Sequence, residues 1–276
     1  MEIYYINSKN EKLDLVRWPY RIQTADLFNY KRNYTYMETT SGGNISSFNT
    51  PVVEKSVQLT VEASTRKDYY DALNRFFRVV DADVSSMTPG KLYIDGQYMS
   101  CYIFGSEKTE WEYGCNSLDN TIAIVSGAPY WVTEHKKSYL MNSMTEESDF
   151  LDYPIDYPYD YMPSVFSNSM DNPGYEAADF RMTIYGPILN PAVTIGQDVY
   201  RVYTELEEDE YLVIDSREKV VEQVSVDGIV TPKYNARDKD YDIYKKIPAG
   251  NSQMSWSGFG FDLTLYIERS EPEWIL

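Results

Sequence analysis

Histidine is nearly absent: the 276 residues contain one, His135. That excludes paired-histidine metal sites and leaves a single candidate base for a serine or cysteine nucleophile. It lies in the polar stretch Thr133-Glu134-His135-Lys136-Lys137, where an ordinary surface side chain is expected. Cysteine is scarce as well. Cys101 and Cys115 are the only two, and their spacing fits no zinc or redox motif. In a reducing compartment they read as two unpaired, buried thiols. No apolar run reaches the length of a membrane span, so no transmembrane helix is expected. Met1–Ile6 is followed at once by Asn7-Ser8-Lys9-Asn10-Glu11, without the basic start and long apolar centre of a secretory signal. Synthesis and folding in a cytoplasm are therefore expected, and the sequons Asn33-Tyr34-Thr35 and Asn44-Ile45-Ser46 carry no weight.

The loops that carry nucleotide or acyl chemistry are missing too. There is no G-x-S-x-G elbow and no G-x-x-x-x-G-K-[ST] phosphate loop, and Gly258-Phe259-Gly260 precedes a strand rather than a helix. A glycosidase needs only two carboxylates at a set distance, and 43 acidic residues will supply such a pair by chance. The acidic run Glu205–Glu210 reads as a solvated turn, since it lacks the alternate spacing and central glycine of a calcium loop. The expectation is a non-enzyme with no cofactor and no metal.

Positive charge is the next shortage. Residues 1–140 carry 15 basic and 17 acidic residues; the remainder carries 10 and 26, so nearly all of the formal −18 lies in the second half. Gripping nucleic acid requires clustered cations that displace counterions, and no such cluster exists. An acidic wall that repels passing DNA is compatible with the count. Between Lys137 and Arg181 there is no basic residue at all. The centre of that stretch, Leu151–Pro163, contains Tyr153, Tyr157, Tyr159 and Tyr161 interleaved with Asp152, Asp156 and Asp160, and Pro154, Pro158 and Pro163 exclude a helix there. Residues 138–180 read as an acidic Tyr/Pro-rich linker or arm, whose tyrosines are candidate contacts with a neighbouring subunit or a glycan.

What the chain has in plenty is tyrosine, 27 of them, and 43% apolar residues, enough for a core. Tyrosine suits half-buried strands and assembly surfaces, because its ring packs while its hydroxyl stays wet. Val57, Leu59 and Val61 alternate with polar neighbours, as do Phe261, Leu263, Leu265 and Ile267, which is the period of strands with one buried face. Asp95-Gly96 and Asp227-Gly228 each sit between strand-like runs and predict type I′ hairpins. Further short strands are expected at 121–125, 181–185, 199–203, 211–214 and 243–247. One helix is predicted over 68–81, with Tyr69, Tyr70, Leu73, Phe76, Phe77 and Val80 on a single face and Thr65 as its cap. Trp256, Tyr266 and Trp274 could stack on sugar rings, with core packing the plainer role.

Several motifs at the two ends of the chain resemble the distal tail protein family of long-tailed, non-contractile phages of Gram-positive bacteria. They are Leu15-Val16-Arg17-Trp18-Pro19-Tyr20 with Val57–Val61, then Tyr185-Gly186-Pro187-Ile188-Leu189-Asn190-Pro191. Ile247–Asn251, Met254-Ser255-Trp256 and Glu268–Trp274 follow, and the likeness covers about two thirds of the chain. None of these motifs is catalytic; their weight lies in joint occurrence and order. The resemblance implies a mainly β fold: an N-terminal ring-forming β domain over 1–137 with one packed helix, and a C-terminal galectin-like β-sandwich over 181–276. It implies a virion structural protein at the tail tip, made in the host cytoplasm. There a homohexameric ring joins the tail tube protein to a tail-associated lysin or receptor-binding protein. DNA passes through its channel without specific binding, and no membrane partner is implied. The alternative is a lectin-like carbohydrate-binding adhesion module, for which Trp256 is the candidate contact.

Overall fold

Strand periodicity shapes most of the backbone. A computed structural model describes residues 1–140 and 169–274, so the interleaved tyrosines Tyr153, Tyr157, Tyr159 and Tyr161 lie outside the described residues. The protein divides into two units: Met1–Thr133 together with the tail from Glu268, and Glu134–Ile267.

The first unit contains β1 (Ile3–Ile6), β2 (Lys12–Asp14), β3 (Tyr20–Ala25), β4 (Asn33–Thr39), β5 (Gly42–Asn49), β6 (Val53–Glu62), α1 (Arg66–Ser86), β7 (Gly90–Ile94), β8 (Gln97–Glu110), β9 (Ser117–Ser126) and the start of β10 (Trp131–Tyr139). The antiparallel order is β2-β1-β7-β8-β9-β6-β3. β8 serves three partners: Gln97–Cys101 pairs with β7, Tyr98 also pairs with Val132 of β10, and from Tyr102 onward the strand pairs with β9. Register shifts between Ile103 and Gly105 and between Lys108 and Glu110 supply the extra twist that such a turn between partners needs. The β7–β8 turn is the expected one, with Asp95 and Gly96 both at positive φ. Val57, Leu59 and Val61 of β6 are buried, as the alternation requires.

α1 lies against β6 and β8. Thr65 caps it, its hydroxyl accepting from the Asp68 amide at 3.2 Å. The buried stripe runs through Tyr69, Ala72, Phe76, Val79, Val80 and Asp83. Tyr70, expected inward, is exposed beside Arg66. The inward face is rotated by about one residue because the small Ala72 and the acid Asp83, both invisible to an apolar count, sit at its centre. Asp83 is fully buried and is satisfied by the Tyr5 hydroxyl, which donates at 2.5 Å, and by the Ser8 amide at 2.7 Å. Gly90 lies directly against this pair, where any Cβ would strike Tyr5 and Asp83.

The second unit contains β11 (Ser169–Asn172), β12 (Asp179–Tyr185), β13 (Ile188–Leu189), β14 (Ala192–Ile195), β15 (Asp198–Arg201), β16 (Glu205–Leu206), β17 (Tyr211–Asp215), β18 (Val220–Val224), β19 (Val230–Pro232), β20 (Gly250–Ser255) and most of β21 (Phe261–Arg269). One sheet has the order β19-β18-β17-β12-β21 and another β11-β20-β14-β15. Phe180, Met182, Ile214 and Leu263 of the first share one core with Met170, Val193, Tyr200 and Met254 of the second, the arrangement of a sandwich.

Three local expectations are corrected. Residues 243–247 form turns with a single bridge, Ile247 to Ala178, because Asp242 and Lys245 close a turn across them. The second Asp-Gly hairpin forms, but only Gly228 has positive φ; the Gly228 amide bonds the Ser225 carbonyl in a longer loop than a type I′ turn. Cys115 is exposed in the β8–β9 loop, whereas Cys101 is buried, where desolvation pushes its thiol up to about 12.

Candidate interaction surface

No group of three or more His, Cys, Asp or Glu side chains that could hold a metal occurs among the described residues. His135 is exposed on β10. Among the described residues no helix is long and apolar enough to cross a membrane. The surface that calls for an account is apolar.

β4 and β5 form a hairpin that pairs with no other described strand, and every residue in both strands is exposed. The turn Thr39–Gly42 closes it, with the Thr39 hydroxyl donating to the Gly42 carbonyl and Gly42 at φ 141°. Opposite residues in an antiparallel pair share a face, so Tyr34 with Phe48 and Tyr36 with Ile45 point the same way. Ile45 and Phe48 are three apart, an odd offset that would ordinarily send them to opposite faces. The register shift between Thr35 and Tyr36 leaves Ser46 unpaired as an extra residue and restores the parity. The outcome is one continuous face of Tyr34, Tyr36, Ile45 and Phe48, with Tyr34 centred 6.1 Å from Tyr36 and 6.3 Å from Phe48. A lone two-stranded ribbon is marginal in water, and a contiguous apolar face on a soluble protein marks a contact surface. This hairpin was not anticipated in the sequence; the alternation of Tyr34 with Tyr36 before Thr-Thr-Ser-Gly-Gly was the available signal.

Trp256 is half-buried. Its ring meets Tyr139 and Phe261 edge-on, at 5.5 and 5.2 Å, and its Nε1 donates to the Leu140 carbonyl at 3.3 Å. Tyr139 stacks on Phe261 at 4.8 Å, and burial pushes its hydroxyl up to about 12. Tyr266 is likewise pushed up to about 12 by burial, with Arg217 over its ring. Trp274 packs on Phe28 with centroids 4.8 Å apart, and the neighbouring Glu273 exchanges two hydrogen bonds with the Gln97 side chain. Each of the three aromatic residues weighed as sugar platforms is thus engaged in packing within its own unit.

No protein family matches the sequence, and no curated protein matches it. Solved structures do. The crystal structure of SPP1 Dit (gp 19.1), described as a paradigm of the hub adsorption apparatus in phages infecting Gram-positive bacteria, is similar with a TM-score of 0.63 at 9% identity. The match covers 97% of this chain and 99% of that one. The phage P2 baseplate in its Ca-activated conformation is similar with a TM-score of 0.70 at 11% identity, and its Sr form with 0.71 at 12%. Both baseplate matches cover 98% of this chain and 99% of the other. At these identities the likeness establishes the fold, which is that of a phage distal tail hub.

Proposed function

We propose that this chain is a structural hub of a phage tail tip. In this reading it forms a homohexameric ring that joins the tail tube protein to a tail-associated lysin or receptor-binding protein. DNA passes through the ring without being specifically bound, and no residue performs chemistry. The observation that carries the reading is the fold likeness along nearly the whole chain to proteins described as a hub and as a baseplate. The free hairpin supports it independently. A ring subunit needs a heterologous contact in which a projecting element of one copy meets a different surface of the next, and the β4–β5 face is such an element. The net charge of −18 supports passage of DNA rather than capture.

Light scattering and negative-stain microscopy of the purified protein test the reading. A six-fold ring with a central hole is the expected result. A monomer at all concentrations, with measurable affinity on a glycan array, would replace it with the lectin reading.

A further inference from the structure

The inward row of β6 contains one residue that breaks its chemistry. Val57, Leu59 and Val61 face the core, and in the same phase stands Lys55, only 8% exposed. Its ammonium donates to two backbone carbonyls, Asn29 at 2.6 Å and Asp26 at 3.3 Å. An ammonium has three protons, so one remains. Lys55 lines a small open cavity of about 20 Å³ whose wall also contains Lys31 and Arg32. No acidic residue lines it, and among the described residues no carboxylate lies in ion-pair range of Lys31, Arg32 or Lys55. Three cations thus meet at one hole in a chain whose acids outnumber its bases 43 to 25. Burial holds the Lys55 ammonium below its usual range, and the Asp26 carboxylate offsets only part of that shift.

The cavity also has aromatic walls. Trp131 is buried, and the Tyr130 hydroxyl is tied to Thr50 at 2.6 Å. Such walls lower the local dielectric and strengthen any ion pair formed inside. Its position is informative. Lys31 and Arg32 immediately precede β4, and Thr50 immediately follows β5. The cavity therefore sits at the root of the hairpin whose outer part is free.

We propose that this cavity is a socket for a carboxylate side chain presented by a second copy of the chain. The proposal rests on the ring reading, because the ring is what brings another copy to the hairpin root. Charge complementarity selects the occupant: a neighbouring copy has 43 acids to 25 bases, and three cations but no acid line this cavity, Asp26 acting on Lys55 from outside the lining.

The test is zero-length carbodiimide cross-linking of an equal mixture of ¹⁴N- and ¹⁵N-labelled full-length protein, with the rings counted by microscopy. The expected product is a mixed-isotope peptide joining Lys55 or Lys31 of one copy to an Asp or Glu of another. Lys55→Arg, which keeps the charge but forms no stable amide, removes the product at that position and leaves the rings. Lys55→Met with Arg32→Gln weakens association about thirtyfold, the effect of truncating one side of a buried charge pair. Rings whose cavity lysines link only within their own copy, or to nothing, would overturn the socket and leave the ring reading standing. Absence of rings together with absence of any mixed-isotope product would overturn both. A short DNA duplex that shields Lys31 and Lys55 from acetylation would assign the cavity to phosphate instead.

Discussion

Replacing Tyr34 and Phe48 with serine separates assembly from folding. Tyr34 is 56% exposed and Phe48 61% exposed, so neither supports the fold of its own unit. An aromatic side chain presents roughly 200 Å²; the exposed part of each is therefore about 110–120 Å². At about 25 cal/mol per Å² the pair would gain about 6 kcal/mol if a neighbour covered it fully. Incomplete coverage and the cost of ordering side chains at a contact remove about half. About 3 kcal/mol per contact corresponds to an association about a hundredfold weaker. Sedimentation velocity across a concentration series measures that shift, and thermal unfolding of the monomer checks the control. Monomer stability should change by less than about 0.5 kcal/mol, the usual range for exposed positions. Rings that persist at the same concentration as the parent would refute the assignment of the hairpin as the contact. A large fall in monomer stability would show instead that the hairpin packs on its own chain.

Three further outcomes follow from buried polar groups. Tyr5→Phe removes the hydroxyl that donates to the fully buried Asp83; it should cost about 1.5–3 kcal/mol in denaturant unfolding, the range for hydrogen bonds to a charged group. Tyr139→Phe should be neutral or stabilise by up to about 1 kcal/mol, because the Tyr139 hydroxyl is buried with no hydrogen-bond partner among the described residues. Stability should also fall as pH rises from about 10 to about 12. Tyr139 and Tyr266 have folded values raised to about 12, so the unfolded chain loses these protons first. The stabilisation is whole below the ordinary tyrosine value and gone above the raised one. Denaturant midpoints flat across that interval would contradict the burial of both rings.

The strands that build the two cores were legible because their apolar residues keep an unbroken period of two: β6, β12 and β21 announce themselves through Val57–Val61, Phe180–Ile184 and Phe261–Ile267. The helix was legible in position but not in rotation, since Asp83 lies on its buried side only because Tyr5 waits there. The hairpin escaped notice for the reason that makes it useful. The extra residue Ser46 breaks the period, so Ile45 and Phe48 do not look like members of one face. The cationic cavity escaped because a lysine in phase with valines reads as noise until Lys31 and Arg32 are seen beside it. The packing of Trp274 on Phe28 joins residues near opposite ends of the chain, which local pattern does not register.

The bulge at Ser46 makes the aromatic face of the hairpin a matter of counting. Deleting that one serine leaves Ile45 two residues from Phe48, the plain strand period, so the ribbon loses its bulge and keeps its aromatic face. One residue can be lost at the bulge without cost to the face, whereas one lost at a regularly paired position such as Thr35 sets Tyr34 and Tyr36 on opposite sides unless another bulge absorbs it.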